Sequence, residues 1–313
     1  MSTYPIKSVR AAIPPSEQLL ETLVAERLVT IDGAVGAIEG LCFDRKGNLF
    51  FTAIYQAAIY MLAKSGRVPV MFSAFENGTR PSAVKIHRDG RLFIPCTEAR
   101  DGSKVFIFSP EGKTLQIFGQ DSGHIYDDLV FDSDGGFYFS DLSGSTAHPT
   151  GGAYYVDPAL SRITPILTGL NGANGIALSP DERTLWVTEH GANKLHCVFL
   201  GTDRVSIGRC CSSTPYYFCG CKGPDSCCID AEGNLYVAMF RQGRYLVFND
   251  MGIPVRQILI PERAEGRMLL TTHPAIRPGT DELYLTASDE ASHETAIYVS
   301  RALAPAYQSY QFQ

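Results

Sequence analysis

Six residues with oxygen-bearing or imidazole side chains open six similar segments of the chain, and their types point to metal chemistry. Their starts are separated by 43, 45, 47, 51 and 48 residues. Three are carboxylates, one is an amide and none is Lys or Arg, so a shared position would gather uncompensated negative charge. A hard dication bound by oxygen ligands resolves that repulsion, and such ligands favour calcium over zinc or magnesium. The six residues are Glu39, Ser82, Asp127, Asn174, Asp225 and His273.

The segments themselves explain why a shared position is expected. Each has an apolar pair, a turn with Gly, Asn or Asp, and a second apolar run, which is typical of a β-hairpin. Further strand pairs lie between the hairpins, so about four strands recur every ~45 residues, as in propeller blades. The segments are "EGLCFDRKGNLFFT", "SAVKIHRDGRLFIP", "DDLVFDSDGGFYFS", "NGIALSPDERTLWVT", "DSCCIDAEGNLYVA" and "HPAIRPGTDELYLT".

This repeat predicts an all-β fold, a six-bladed β-propeller with a central metal site, formed by residues 1–313 as a single domain. The inner strand of each blade would line the channel, so the six opening residues would face the axis at one end. The last hairpin is followed by too few strands for a full blade. We therefore expect an N-terminal strand, Arg27 to Asp32, to close the ring and remove an edge. Residues 1–25 would form an N-terminal extension, and "SEQLLETLVAERL" (16–28) is the one plausible helix.

A simpler interpretation is that the six opening residues are solvated rim positions. Exposed carboxylates are the rule in soluble proteins, so any one of these residues alone favours that interpretation. Four oxygen-bearing residues in the same register of separate blades favour a shared site instead. The register of the repeat carries this inference.

Composition narrows the class of protein. The chain is 45% hydrophobic with a net charge of −6 and a pI near 5.7, so it has no basic face and nucleic acid is not an expected partner. No stretch approaches the ~18 apolar residues of a membrane span, and the first residues lack the apolar core of a signal peptide. We expect a soluble cytoplasmic protein without a membrane partner.

Four of the nine cysteines crowd into one segment, "RCCSSTPYYFCGCKG". Their CC and CxC spacings match zinc motifs poorly, so free thiols in a loop are favoured over a zinc site. The other five lie in strand-like apolar runs, where free cysteine packs as a small hydrophobe. The clustered residues are Cys210, Cys211, Cys219 and Cys221.

Several stretches resemble the senescence marker protein/gluconolactonase family of six-bladed, metal-dependent propellers, and above all its bacterial drug-responsive, calcium-dependent lactonase branch. The strongest signal is the pair "ANGIAL" and "GPDSCC", supported by "EGLCFD", "DDLVFDSDGGFYFSD", "NLYVAMFRQGR" and the terminal "QSYQFQ". The resemblance implies Asp225 as the general acid/base. It also implies one catalytic calcium ion, with the ligands Glu39, Asp127, Asn174 and Asp225 and with Ser226 beside them.

A second, structural calcium ion occurs in proteins that resemble this branch. Here the corresponding region reads "GQDSGHIYDD", and its acidic residues do not align with that site. Asp121 and Ser122 are weak candidates, so a second ion is left open.

Loops at the same end of the channel are expected to build the substrate pocket. A histidine there could relay protons, and we consider His190 or His124 for that role, although a lone loop histidine is more often structural. The aromatic "PYYF" cluster could line an apolar cleft or pack between blades. The pocket candidates are Tyr126, His148, Glu189, His190, Tyr216, Tyr217, Phe218, Arg267, Met268 and His273.

Calcium beside a carboxylate suits hydrolysis of a cyclic ester, because the ion polarises the carbonyl while Asp225 moves the proton. We therefore expect a calcium-dependent lactonase acting on a small-molecule lactone or ester. The same site could instead serve isomerisation or cyclisation in a biosynthetic pathway, and a non-catalytic binding propeller is a third alternative. No GxSxG elbow, GxGxxG or P-loop motif is present. The mass of the product separates hydrolysis, which adds water, from isomerisation.

Overall fold

Six small sheets form a ring around one channel, as the repeat predicts. The computed structural model describes Val9 and residues 12–31, 36–98 and 102–313, and among these it has strands, short 3₁₀ helices and no α-helix. None of the described helices has the length and apolarity needed to cross a membrane. The described strands are β1 (Glu21–Val24), β2 (Glu26–Thr30), β3 (Ile38–Phe43), β4 (Leu49–Ala53), β5 (Ala58–Leu62), β6 (Val70–Ala74), β7 (Arg80–Pro81), β8 (Lys85–Ile86), β9 (Leu92–Glu98), β10 (Lys104–Phe108), β11 (Thr114–Phe118), β12 (Tyr126–Phe131), β13 (Phe137–Asp141), β14 (Gly151–Val156), β15 (Ile163–Leu170), β16 (Ala173–Leu178), β17 (Thr184–Glu189), β18 (Lys194–Leu200), β19 (Ile207–Tyr217), β20 (Pro224–Ile229), β21 (Leu235–Met239), β22 (Arg244–Phe248), β23 (Pro254–Leu259), β24 (Leu270–Ile276), β25 (Glu282–Ser288) and β26 (Thr295–Arg301). The 3₁₀ helices are Pro15–Glu17, His190–Ala192, Pro261–Glu265 and Tyr310–Phe312.

The sheets follow the chain blade by blade. Blade 1 contains β3–β6, blade 2 β7–β11, blade 3 β12–β15 and blade 4 β16–β19, each with antiparallel neighbours. Blade 5 contains β20–β23 with β1 added in parallel at its outer edge, and blade 6 contains β24–β26 with β2. The innermost strands of neighbouring blades contact one another around the axis. The residues at their starts therefore meet at one end of the channel.

Apolar side chains on the blade faces pack into six clusters, each between two neighbouring blades. Trp186, for example, is buried between blades 4 and 5, and Phe51 between blades 6 and 1. Because each strand of the inner half is covered on both faces, its sequence reads as a nearly continuous apolar run rather than an alternating one. This packing gives each inner strand a fixed position in the ring.

The N-terminal strand closes the ring as predicted. β2 pairs antiparallel with β26 and completes blade 6, which leaves no unpaired edge on β26 there. The predicted strand ran from Arg27 to Asp32, and Asp32 lies outside the described residues.

The helix predicted for residues 16–28 is wrong. The segment begins with the end of a short 3₁₀ helix and continues as β1 and β2, which pair with blades 5 and 6. Strand pairing satisfies the backbone polar groups, and Leu23 packs against the cluster between those blades, so tertiary contacts override helix propensity. Glu17 anchors the segment through a fully buried ion pair with Arg244 and accepts a hydrogen bond from the hydroxyl of Tyr216 (2.6 Å).

The C-terminal segment, residues 306–312, crosses the far end of the channel, where the inner strands finish. Gln311 donates to the carbonyl of Phe43 in blade 1, and its own carbonyl accepts from Arg45 Nε (2.6 Å). Tyr310 is buried in the cluster of blades 2 and 3, with its hydroxyl 3.2 Å from His87 Nε2. The segment therefore covers the end of the channel opposite the six opening residues.

Candidate metal centre and active-site cavity

Each inner strand is irregular at the residues that the sequence singles out. The pairing of β12 with β13 skips from Tyr126 to Leu129, and the pairing of β16 with β17 skips from Ala173 to Ile176. Comparable shifts occur in β3, β20 and β24, and in blade 2 the inner strand is divided into β7 and β8. Such bulges re-aim side chains and twist the strand locally. In β3, β12, β16, β20 and β24, the bulge leaves two residues near the start of the strand unpaired with the neighbouring strand.

Hydroxyl groups of the neighbouring blade hold these bulges in place. Thr188 Oγ1 accepts from Gly175 N (2.7 Å) and donates to the carbonyl of Asp225 (2.8 Å). Ser140 likewise links blade 3 to the carbonyl of Asn174, and Ser82 donates to the carbonyl of Asp127 (2.6 Å). Because each bond ties a candidate ligand to the preceding blade, the ring itself positions the ligands.

Sequence reasoning missed these hydroxyl residues, although a signal was present. The hairpin segments end in "FFT", "FYFS", "LWVT" and "LYLT", so Ser or Thr recurs at the same place in the second strand. A hydroxyl at a buried strand position needs a partner. Ser140, Thr188 and Thr286 find one in a bulge of an inner strand, whereas Thr52 Oγ1 has no partner among the described residues.

Glycines follow two of the candidate ligands and let neighbouring blades approach closely. A Cβ on Gly175 would lie 2.7 Å from the carbonyl oxygen of Asp225 and 2.8 Å from Cys227 N. A Cβ on Gly40 would lie 2.4 Å from the Cα of Ala83, and its φ of +63° also favours glycine. Both glycines keep the inner strands close enough for side chains from different blades to meet.

The carboxylates and the amide are buried together. Glu39, Asp127 and Asn174 are each 8% exposed and Asp225 is 5% exposed. Ser226 Oγ lies 3.5 Å from Asn174 Oδ1, which joins blades 5 and 4. The negative charges of Asp225, Asp127 and Asp128 act on Glu39, so the carboxylates of blades 1, 3 and 5 are close enough to interact.

The electrostatics of this group are unfavourable without a cation. Burial raises the pKa of Asp225 to about 7; the negative charge of Asp128 adds to the rise, and hydrogen bonds from Ser226 N (3.0 Å) and Asn174 oppose it. Burial and then the charge of Asp225 raise the pKa of Glu39 and of Asp127 well above their usual range. Removal from water and mutual repulsion both disfavour the ionised carboxylates, and a bound dication would relieve both.

Two buried carboxylate oxygens of this group, Glu39 Oε2 and Asp128 Oδ2, have no hydrogen-bond partner among the described residues. His273 Nδ1 lies 3.9 Å from Glu39 Oε2 and also has no hydrogen-bond partner there. Burial and then the charge of Lys85 lower the pKa of His273 well below its usual range, so this ring is neutral. An unpaired buried carboxylate oxygen beside further carboxylates fits the donor set of a hard cation.

Within the described ranges, no group of three or more His, Cys, Asp or Glu side chains is arranged so that it could hold a metal ion. The candidate set differs from such a cluster because an amide and a hydroxyl take part in it. The calcium ion therefore stays a prediction.

Lys85 lies beside the candidate site, although no cation was expected among the opening residues. Its Nζ is 2.9 Å from Asp128 Oδ1. Burial lowers the pKa of Lys85, but the charge of Asp128 and the hydrogen bond outweigh burial and raise it above its usual value. The ammonium group is thus permanently charged. Lys85 lies three positions after Ser82, the opening residue of its blade, so position in the repeat did not point to it.

A cavity of about 650 Å³ lies next to Glu39, between the loops of blades 1, 5 and 6. Tyr55, Phe240 and Leu270 give it apolar walls, and the ion pair of Arg241 with Glu290 lies at its edge. Its size and mixed lining suit a small-molecule ligand. The described residues lining it are Gly36, Ala37, Glu39, Ile54, Tyr55, Gln56, Phe240, Arg241, Leu270, Thr272, Asp289, Glu290 and His293.

None of the ten residues predicted for the pocket belongs to that lining. Tyr126, Phe218 and Met268 are buried in inter-blade clusters. His273 is buried inside the channel, with its Nδ1 3.9 Å from Glu39 Oε2, and lines a second cavity. Glu189 is bound by His196 Nε2 (2.8 Å) inside blade 4. The others lie elsewhere: His148 and Tyr217 are exposed, Tyr216 bonds to Glu17, and Arg267 pairs with Glu294 (2.6 Å).

The two histidines considered for proton relay differ in their surroundings. His124 Nδ1 is 2.7 Å from Asp141 Oδ2 and its ring packs on Tyr154, which is typical of a structural histidine. His190 packs against Phe240 of the cavity wall, and its Nδ1 is 3.0 Å from the carbonyl oxygen of Pro224. Burial lowers the pKa of His190. The neutral ring then donates from Nδ1 and keeps Nε2 as an acceptor.

The weaker metal candidates are not gathered into a site. Asp121 is exposed, and Ser122 accepts a hydrogen bond from the hydroxyl of Tyr126 (3.0 Å). Cys210, Cys219 and Cys221 are exposed and all nine cysteines are free. Four cysteines in one segment therefore do not make a zinc cluster within the described residues.

The fold and the buried oxygen groups define a class, six-bladed propellers with a candidate cation site at the channel mouth. The chain belongs to the SMP-30/gluconolactonase/LRE-like family, whose model matches residues 37–289. The resemblance noted from the sequence is confirmed. Within the family, curated relatives named lactonase drp35 are similar over nearly the whole chain. The relative from Staphylococcus saprophyticus is 46% identical over 307 residues, covering 96% of this chain and 94% of its own.

Two further relatives of the same name come from Staphylococcus epidermidis and Staphylococcus aureus. They are 43% identical over 317 and 314 residues, and each alignment covers 99% of this chain and 97% of the relative. Solved structures with the same fold include a luciferin-regenerating enzyme (TM-score 0.70, 18% identity, 90% and 98% coverage) and the calcium-binding protein regucalcin from Agrobacterium tumefaciens (0.69, 19%, 92% and 98%). At these identities the structural likeness shows the fold alone.

Proposed function

We propose that the protein is a calcium-dependent lactonase that opens a cyclic ester by adding water. The observation that carries this proposal is the set of buried carboxylates from separate blades beside an open cavity, in a chain 43–46% identical to lactonases over nearly its full length. The residues that would hold the ion are Glu39, Asp127, Asn174 and Asp225, with Ser226 beside them.

The residues present fit a calcium ion by their chemistry. They offer carboxylate and amide oxygens from four blades, one of them an unpaired buried oxygen of Glu39. When bound, the cation supplies Lewis acidity that polarises the lactone carbonyl and stabilises negative charge on its oxygen. Everything else in the reaction falls to groups of the chain.

Asp225 is the group we assign to proton transfer. Its carboxylate takes a proton from the water that attacks the carbonyl carbon, and it returns that proton to the ring oxygen as the ester C–O bond breaks. The atoms balance, because one water enters and one hydroxy acid leaves. Hydrogen bonds from Ser226 N and the Asn174 side chain hold the carboxylate in one orientation.

The cavity supplies the binding surface. Tyr55, Phe240 and Leu270 exclude water from one side, and Arg241 and Glu290 provide polar groups at the edge. A volume of about 650 Å³ accommodates a lactone with a substituent, so we place the scissile ester near Glu39 and the remainder of the substrate against these walls.

Two variants at saturating calcium test the proposal. Asp225→Asn keeps one ligand oxygen but removes the proton acceptor, so turnover of a lactone should fall by about 10² to 10⁴ while calcium still binds. Glu39→Gln should weaken calcium binding, and excess calcium should restore much of its activity. Asp203→Asn, fully exposed in a loop of blade 4, is the matched control and should match the wild type.

The outcomes are separable by calorimetry and by the mass of the product. Activity that survives complete removal of calcium would overturn the metal assignment. A product of unchanged mass would replace hydrolysis by isomerisation. Recovery of Asp225→Asn by excess calcium would reduce Asp225 to a ligand, and His190 would be the next base to test. Cytoplasmic location and the lack of a nucleic-acid partner stay predictions from composition.

A further inference from the structure

Lys85 and Asp128 form an ion pair inside the channel, behind the residues that face the cavity. Lys85 Nζ lies 2.9 Å from Asp128 Oδ1, and the Asp128 side chain is 1% exposed. Lys85 keeps 20% of its side-chain surface accessible and lines a cavity of about 170 Å³ at the far end of the channel. The C-terminal segment lines the same cavity.

Asp128 is rigidly connected to a candidate calcium ligand. It follows Asp127 directly, and both residues lie in the bulge of β12. Asp128 N donates to Ser140 Oγ (3.0 Å) and Asp128 Oδ1 accepts from Leu129 N (2.8 Å), so its backbone and its carboxylate are both held. Blade 2 contacts this bulge at two points: Lys85 forms an ion pair with Asp128, and Ser82 Oγ donates a hydrogen bond to the carbonyl of Asp127.

The pair changes the charge that a cation would meet. Four carboxylates lie in this part of the channel, those of Glu39, Asp127, Asp128 and Asp225. Their negative charges act on one another. Among the described residues, Lys85 is the lysine whose charge acts on this group, and it neutralises the carboxylate of Asp128. A site with three net negative charges therefore faces the cavity instead of one with four.

We infer that Lys85, acting through Asp128, is a built-in counter-cation that lowers and sets the calcium affinity of the proposed site. This inference rests on the proposed calcium function. Lys85 is a positioning residue, because its ammonium group pairs with Asp128 and it does not line the cavity beside Glu39. In a shielded interior one unit charge changes the affinity for a dication by roughly one to two orders of magnitude. The weakened site releases calcium more readily than one with four free carboxylates.

The two members of the pair predict opposite changes in the calcium dissociation constant. Lys85→Met leaves four negative charges and should tighten calcium binding by about 10-fold or more. Asp128→Asn leaves an uncompensated ammonium and should weaken it by a similar factor. The double variant should return close to the wild-type value. Calorimetric titration of each protein with calcium chloride measures the four constants, and Lys46→Met, an exposed lysine, is the matched control.

A trivalent ion sharpens the test. Because the charge effect scales with the charge of the ion, the logarithmic change in affinity should be about 1.5 times larger for terbium(III) than for calcium. A purely structural pair would behave differently: both single variants would lower the stability of the metal-free protein and leave both affinities unchanged. That result, or changes of the same sign, would overturn the inference.

Failure of the proposed function gives a different pattern. If wild-type protein binds no calcium, the function is wrong, and the inference falls with it whatever the variants do. If wild-type protein binds calcium but the single variants do not shift the constant in opposite directions, only the inference falls. Should Lys85→Met alone not fold, Asp128→Asn and the double variant still decide, since removing the lysine from Asp128→Asn should tighten calcium binding and an unchanged constant would overturn the inference.

Discussion

The metal-free protein should lose stability as the pH rises, and Asp225 should be a main cause. In the folded chain the pKa of Asp225 is raised from 3.8 to about 7, with burial as the largest cause. A carboxyl with a raised folded-state pKa keeps a proton that the unfolded chain releases. Its contribution to stability is complete below about pH 4 and is lost as the pH rises through 7.

The magnitude follows from the shift. Each pKa unit corresponds to 1.36 kcal/mol, so a rise from 3.8 to about 7 corresponds to about 4 kcal/mol between the two limits. About 3 kcal/mol of this falls between pH 5 and pH 8. The raised pKa values of Glu39 and Asp127 act in the same direction, so the whole site should exceed this contribution.

Urea unfolding of protein freed of divalent cations measures the effect. Between pH 5 and pH 8 the wild type should lose about 3 kcal/mol or more, and Asp225→Asn should lose clearly less because its amide does not titrate. Added calcium should stabilise the wild type more at pH 8 than at pH 5. Asp203→Asn, which is exposed, should follow the wild type. A metal-free wild type whose stability is flat or rises over this range would refute the reasoning.

Three further predictions concern the frame of the site. Gly175→Ala should push β20 away, lower the calcium affinity measured by calorimetry, and cost about 1–3 kcal/mol, since its Cβ would lie 2.7 Å from the carbonyl oxygen of Asp225; unchanged affinity would contradict the close approach. Arg244→Met should cost about 3–5 kcal/mol by leaving Glu17 charged and buried, and the further change Glu17→Leu should recover most of it in urea unfolding. Tyr310→Ala should cost about 3–5 kcal/mol because the ring is 4% exposed in the cluster of blades 2 and 3; a loss below 1 kcal/mol would show that the C-terminal segment does not stabilise the ring.

The repeat could be found from sequence because its signals are local. Turn residues and apolar pairs recur in each segment, and both depend on backbone conformation and burial within a single hairpin. The positions of Glu39, Asp127, Asn174 and Asp225 follow from the same register. The ring closure by β2 was also accessible, since an incomplete last blade leaves an edge that another strand must cover.

The cavity could not be predicted in the same way. Its walls combine Tyr55 and Phe240, from short turns of blades 1 and 5, with Leu270 at the start of β24 in blade 6, and their proximity depends on how the three blades are arranged in the ring. Candidates chosen for their chemistry, such as Tyr216 and Phe218, pack between blades 4 and 5 instead. Aromatic side chains in loops pack wherever neighbouring blades leave space for them, and the spacing of residues in the sequence does not predict where that space lies.

The sequence by itself determined which residues open each blade and that their oxygen-bearing side chains lie at one end of the channel, because a hairpin repeat specifies its own register. Tertiary structure alone decided that residues 16–28 form strands and that Lys85 faces Asp128. Both outcomes depend on surfaces contributed by distant parts of the chain: the open edges of blades 5 and 6 for the strands, and the bulge of β12 for the lysine. Local propensity is a weak preference, and burial against a partner supplies the larger free energy that settles the final arrangement.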